Sequence, residues 1–202
     1  MSDSDAMITV ELNVDRTPTR FTAAQFALMT RAGVFANADH KTELVRGVLY
    51  SGQSRFAPHA RNRDELAFVL DSIFGDAGDY CLGRSARVRL SETSVLQPDL
   101  AILRRAEAGT DSGDFLAATA LALAIEIVAT DAEPSSDPKV EDYARAGVPA
   151  LWIVEIGTGL VHVFEQPGSS GYSARHAVRF GEPMTLRPIA NVEIVIPLGG
   201  FA

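Results

Sequence analysis

The sequence predicts a mixed α/β fold, a mixed central sheet flanked by helices, and three observations carry the prediction. Apolar residues recur at three- and four-residue steps in some segments and alternate or run unbroken in others, so helical and strand periods succeed one another. The segments fall in the order helix, strands, helix, strands, helix, strands, without an internal repeat or low-complexity tract. At 202 residues, with 47% hydrophobic and 22% charged, the chain is long enough to bury one real core.

Residues 1–18 are polar and acidic and end at Thr17-Pro18. They are expected to form a flexible N-terminal arm before a single domain spanning 19–202. Thr22 stands where an N-cap belongs, ahead of AAQFALMTRAGVF, and Gly33 is the expected stop. Glu43 to Ser51 reads as two short strand pieces, or one bulged strand, around Gly47. Leu66, Val69, Leu70 and Ile73 mark an amphipathic helix over His59 to Phe74, ended by Gly75 and Gly78. Ala86 to Leu90 alternates as a half-buried strand does, with Arg87 and Arg89 on one face. Ser91 to Leu96 reads as a turn or loop, and Gln97 to Leu103 as a strand entered through Pro98.

Leu121 to Val128 (LALAIEIV) is almost wholly apolar, which suits a central strand covered on both faces. Asp137 as N-cap, Pro138 in the first turn and Gly147 past the end together predict a helix over that span. Leu151 to Glu155 is the next strand, and Gly157 to Gly159 turns into its hairpin partner Leu160 to Phe164. Further β segments are expected over Ala174 to Phe180 and Val192 to Ile196.

Composition narrows the function classes. A net charge of −8 argues against a broad polyanion-binding surface. It leaves room for a local basic groove, for which Arg84, Arg87 and Arg89, and separately Arg104 and Arg105, are candidates. No apolar run reaches the roughly 18 to 20 residues of a membrane span; the longest, Phe115 to Ala129, is interrupted by Glu126. The start, MSDSDAMITVE, lacks the basic-then-apolar order of a signal peptide, so a cytoplasmic location is expected. One cysteine, Cys81, and four scattered histidines make zinc an unsuitable cofactor. Gly157-Thr158-Gly159 falls in a hairpin and cradles no phosphate, and no Ser/His/Asp pattern stands out.

Two carboxylates call for a chemical reason. Glu126 lies in the middle of the most apolar strand, where an ionised side chain costs several kcal/mol unless it is paired, hydrogen-bonded or metal-bound. Strand alternation puts Ala124, Glu126 and Val128 on one face and Ile125 and Ile127 on the other. Asp99 stands at the mouth of the apolar stretch Leu100 to Leu103. Two such groups on neighbouring strands can supply hard oxygen ligands to Mg²⁺. A structural role, each carboxylate satisfied by an arginine or by backbone, is the competing explanation.

The run Gln97-Pro98-Asp99-Leu100, the AIEIV around Glu126, and KVEDYARAGVPALWIVE from Lys139 to Glu155 resemble the Uma-two family of restriction endonucleases, within the PD-(D/E)XK nuclease superfamily. Glu43-Leu44-Val45 with Gly47, and His59 opening the following helix, extend the resemblance over about residues 20–200. It implies a metal-dependent phosphodiesterase core with Asp99 and Glu126 as ligands. The superfamily lysine normally follows the glutamate by two residues, where this chain has Val128; the resemblance transfers that role to Lys139 on the next helix. Lys139 and Tyr143 are four apart and can point the same way. Glu43 matches the auxiliary acidic residue that the superfamily often carries on an early helix, and His59 a recurrent position with a capping or polar role. Trp152 and Tyr143 read most simply as core. The loop ATDAEPSSDPK departs from the pattern: it is one residue short, and its aspartate, Asp137, precedes Lys139 by only two.

The resulting expectation is an endonuclease that uses Mg²⁺ or Mn²⁺, takes DNA through a local basic groove, and works as a homodimer. The altered loop and the acidic charge support an alternative, a catalytically inactive nuclease-fold protein acting as a binding module. A metal-dependent hydrolase of another substrate is a third.

Overall fold

Thr22 caps the first helix as its spacing predicts. Its Oγ1 accepts the Gln25 N–H at 3.2 Å and its own N–H donates to Gln25 Oε1 at 2.9 Å, a reciprocal capping box. The computed structural model describes residues 19–36, 41–52, 57–74, 78–108, 115–128, 137–185, 189 and 193–195. The arm expected over 1–18, the glycine at 75 and the part of the expected loop over 129–136 lie outside them.

The helix so capped is α1 (Ala23–Arg31), and Gly33 beyond it takes φ +75°. Strands β1 (Lys41–Val45) and β2 (Val48–Gly52) form a hairpin around Arg46 and Gly47, both in the left-handed region at φ 50° and 83°. A Cβ on Gly47 would lie 2.9 Å from that of Arg20, so glycine is required there on two counts. Helix α2 (Ala57–Phe74) follows, then β3 (Tyr80–Arg84), β4 (Val88–Arg89), β5 (Val95–Leu96) and β6 (Leu100–Arg104). A short helix α3 (Arg105–Ala108), β7 (Leu116–Ala117) and a 3₁₀ turn lead into β8 (Leu121–Val128). Helix α4 (Pro138–Arg145) has Asp137 as its N-cap and Gly147, at φ +75°, past its end. The chain closes with β9 (Ala150–Glu155), β10 (Leu160–Gly168), β11 (Gly171–Arg179), β12 (Pro183–Thr185) and β13 (Glu193–Val195).

The principal sheet runs β11-β10-β9-β8-β6-β3; its neighbours are antiparallel except β8 and β9, which are parallel and joined through α4. Leu123, Ile125 and Ile127 pack with Trp152 and Val154 against Leu66, Leu70 and Phe74 of α2. The opposite face carries Ala124, Leu151 and Ile153, covered by Val140 and Tyr143 of α4. Glu126 lies on this second face, as alternation predicts. A bulge marks the start of β8: Ile102 pairs with Leu123, but Leu103 pairs with Leu121, leaving Ala122 as the extra residue.

The mixed α/β architecture is as expected, with its strands divided: beside the principal sheet a second, five-stranded sheet runs β2-β1-β5-β4-β7, and β12 and β13 form a separate pair. Periodicity identifies strands but does not say which edges they join. Ser91 to Leu96 is not loop throughout. Val95 and Leu96, 1% and 0% exposed, pair with β1 and β4 and bring the two halves of the small sheet together. The strand expected over Ala86 to Leu90 contracts to two residues.

Candidate active site

Four elements deliver charged side chains to the α4 face of the principal sheet: β1, the segment before β6, β8 and α4. Asp99 is fixed through one oxygen. Its Oδ2 accepts the Ile127 N–H at 2.8 Å and lies 3.3 Å from His59 Nε2 of α2. Glu126 accepts a hydrogen bond from the buried Tyr143 hydroxyl at Oε1, 2.9 Å. Lys139 Nζ lies 3.7 Å from that same oxygen and 2.6 Å from Glu43 Oε2. Glu43 Oε1 accepts the Gln97 N–H at 2.8 Å.

The predicted residues Asp99, Glu126, Lys139 and Glu43 therefore do converge, and His59 joins them through Asp99. Glu43 arrives from a strand and not from an early helix, because α1 ends at Arg31 and the β1–β2 hairpin follows it. Two residues exceed what the sequence reading assigned. Tyr143 is core by burial, yet its hydroxyl is spent on Glu126. Lys41 was not singled out at all. Its ammonium lies 3.2 Å from Glu126 Oε2, 3.5 Å from Glu43 Oε1 and 3.6 Å from Asp99 Oδ1. The available signal was the i, i+2 spacing of Lys41 and Glu43, which puts both on one face of a strand.

Burial and mutual charge set the protonation of this group. Burial pushes the Glu126 carboxyl above its ordinary value, and the nearby Glu43 and Asp99 add to this against the pull of Lys41 and Lys139. For Asp99 burial acts in the same direction, but the His59 hydrogen bond, Lys41 and the Ile127 N–H outweigh it and hold the carboxyl below its usual range. Burial disfavours the charged forms of Lys41 and Lys139, yet the surrounding carboxylates keep both ammoniums above the ordinary lysine value. Tyr143 is raised well above the usual phenol range by burial and then by Glu126, so it acts as a hydrogen-bond donor.

The candidate arginines divide. Arg104 donates to the carbonyls of Thr119 and Leu121, and Arg105 to those of Gly78 and Tyr80, so both brace the backbone. Arg84 lies 3.7 Å from Asp71. Arg87 donates to Gln97 and lies over the Phe26 ring, while Arg89 is exposed beside it. Among the described residues, no three His, Cys, Asp or Glu side chains stand as a ready-made metal cluster; the Lys41 ammonium lies among the carboxylates. The donors are nevertheless all hard carboxylate oxygens, the chemistry that suits Mg²⁺ or Mn²⁺.

The layered α/β fold thus carries its carboxylate–lysine cluster on one face of the principal sheet. A solved structure described as "a putative nuclease belonging to DUF820 from Anabaena variabilis ATCC 29413" shares the fold, with a TM-score of 0.61 at 18% identity over 78% of this chain and 88% of that one. The family model Uma2, described as "Putative restriction endonuclease", matches residues 23–199, and the chain belongs to that family. No curated protein matches it. No helix among the described residues is long and apolar enough to cross a membrane.

Proposed function

We propose that the chain is a divalent-metal-dependent endonuclease that hydrolyses phosphodiester bonds of DNA in the cytoplasm, with Asp99 and Glu126 as metal ligands. The observation that supports it best is the meeting of Asp99, Glu126, Glu43 and Lys139 from four separate elements around one spot. A Mg²⁺ or Mn²⁺ ion held by Asp99 and Glu126 would neutralise phosphate charge and make a bound water more acidic.

The side chains then have distinct tasks. The Ile127 N–H and His59 orient Asp99 through Oδ2, which leaves Oδ1 to Lys41, whose ammonium also meets Glu126 Oε2. Tyr143 fixes the rotation of Glu126 from the far oxygen. Lys139, held cationic, serves as a fixed positive charge for the transition state and not as a base. Glu43 assists by anchoring that ammonium at 2.6 Å. Arg87 and Arg89, beside β4, are the remaining candidates for a local basic groove. Pairing of two such sites in a homodimer fits double-strand cutting, and light scattering in solution tests it.

The decisive experiment is cleavage of plasmid and single-stranded DNA with Mg²⁺ or Mn²⁺. Activity that survives Asp99→Ala and Glu126→Ala would sink the reading. One observation favours a second reading, a catalytically inactive binding module: Lys41 already neutralises the carboxylates from within. Calorimetry that detects no divalent-metal binding by the folded protein selects that alternative.

A further inference from the structure

Lys41 and Lys139 straddle Glu43 and Glu126, each taking a different oxygen of both. Lys139 faces Glu43 Oε2 and Glu126 Oε1, whereas Lys41 faces Glu43 Oε1 and Glu126 Oε2. Only Lys41 also meets Asp99, and it does so at Oδ1, the oxygen that Ile127 and His59 leave aside. Tyr143 occupies Glu126 on the Lys139 side. The Lys41 ammonium thus touches the very pair of oxygens, Asp99 Oδ1 and Glu126 Oε2, that remain for a cation.

We propose that Lys41 is a resident counter-cation of the carboxylate site, which holds the acidic side chains together in the metal-free protein and must swing out for a divalent ion to bind. The inference rests on the metal-dependent reading above and adds a competitor to it. Three carboxylates brought together without a cation repel one another and lose their hydration. Lys139 offsets this at Glu43 and Glu126, and the Lys41 ammonium, 3.2 to 3.6 Å from one oxygen of each carboxylate, extends the relief to Asp99. A divalent ion approaches carboxylate oxygens to about 2.0–2.6 Å, closer than an ammonium does, so both cations cannot occupy one place. The means of departure are present: Lys41 begins β1, its side chain is 28% exposed, and its four-carbon stem is flexible. Lys41 would therefore tax metal affinity by the fraction of molecules in which it occupies the site.

The test compares the wild-type protein with Lys41→Met by Mn²⁺ calorimetry and by thermal unfolding with and without Mn²⁺, taking Asp99→Asn as the ligand control. The expected result is Mn²⁺ binding roughly tenfold tighter or more in Lys41→Met. Its midpoint should be lower without metal, and the gap to wild type should close at saturating Mn²⁺. Equal or weaker binding in the variant, with both proteins still binding Mn²⁺ through Asp99, overturns the competition and leaves the nuclease reading standing. Absence of binding to either protein removes both. If Lys41→Met is unfolded without metal, folding on addition of Mn²⁺, followed by circular dichroism and repeated with Lys41→Gln, supports the proposal. Failure of both variants to fold with Mn²⁺ overturns it.

Discussion

Arg46, in the β1–β2 turn, donates from Nε to Asp142 Oδ1 at 2.9 Å and so ties the small sheet to the helix that carries Lys139 and Tyr143. The other oxygen of Asp142 accepts from Ser94 Oγ at 2.8 Å, and the Arg46 N–H donates to that same Ser94 oxygen at 3.1 Å. Arg46 also reaches Glu141 and the Pro138 carbonyl. The clamp holds the first two turns of α4 at a fixed height over the sheet.

Arg46→Met should lower stability by about 1–2 kcal/mol, at the modest end for hydrogen bonds to a charged group because the arginine is partly exposed. Under the proposed function, kcat should fall more than KM changes, as Lys139 loses its aim. Urea unfolding and steady-state cleavage check the two parts. An unchanged denaturation midpoint removes the clamp.

Tyr143→Phe should keep the fold and cost about 1–2 kcal/mol, the usual loss when a buried acceptor is deprived of its donor. Equilibrium urea unfolding measures it. No loss would mean that the two lysines satisfy Glu126 unaided.

How much of this was legible in the sequence depended on the kind of signal. Glu126 announced itself, because a carboxylate inside LALAIEIV has no comfortable neutral explanation, and Asp99 did so more weakly at the mouth of β6. The caps of α1 and α4 followed from Thr22 and Asp137, since capping is local chemistry. Glu43 and Lys139 were reached through family resemblance, as neither differs locally from a solvated side chain. Lys41 and the hydrogen-bonding role of Tyr143 escaped because each depends on contacts made across the fold, 85 and 17 residues away in the chain. The division into two sheets escaped for the same reason: the joining strand β5 has two residues, too few for any periodicity.

Under the proposed function, Lys139→Met should reduce kcat by about 10²–10³-fold, the usual effect of removing a charge aimed at a developing oxyanion. Lys139→Arg should recover part of the loss, because a permanent cation suffices for that role. Single-turnover cleavage distinguishes the two. Greater damage from arginine than from methionine would assign Lys139 a proton-transfer role.

The two principal carboxylates should respond to acid in opposite senses. Asp99 has a lowered folded-state pKa, so its contribution to stability is full above its ordinary value of 3.8 and is lost as pH falls through the lowered one. Asp99→Asn should flatten the acid limb of stability against pH by that amount. Glu126 is raised, so protons compete with metal there first. Mn²⁺ affinity should already weaken as pH falls from neutral toward 4.5, the ordinary glutamate value. Calorimetry across that range checks it, and a flat profile would take Glu126 out of the metal set.

The parallel step from β8 to β9 obliges the chain to cross over the sheet, and α4 is that crossing. An ammonium that rides on the crossing helix is positioned by how α4 docks through Val140, Tyr143 and Arg46, and not by a count of residues from Glu126. The segment between them is thereby released from geometric duty. Its length can therefore vary while the charge geometry at the sheet stays put; a lysine two places along the same strand would tolerate no such slippage.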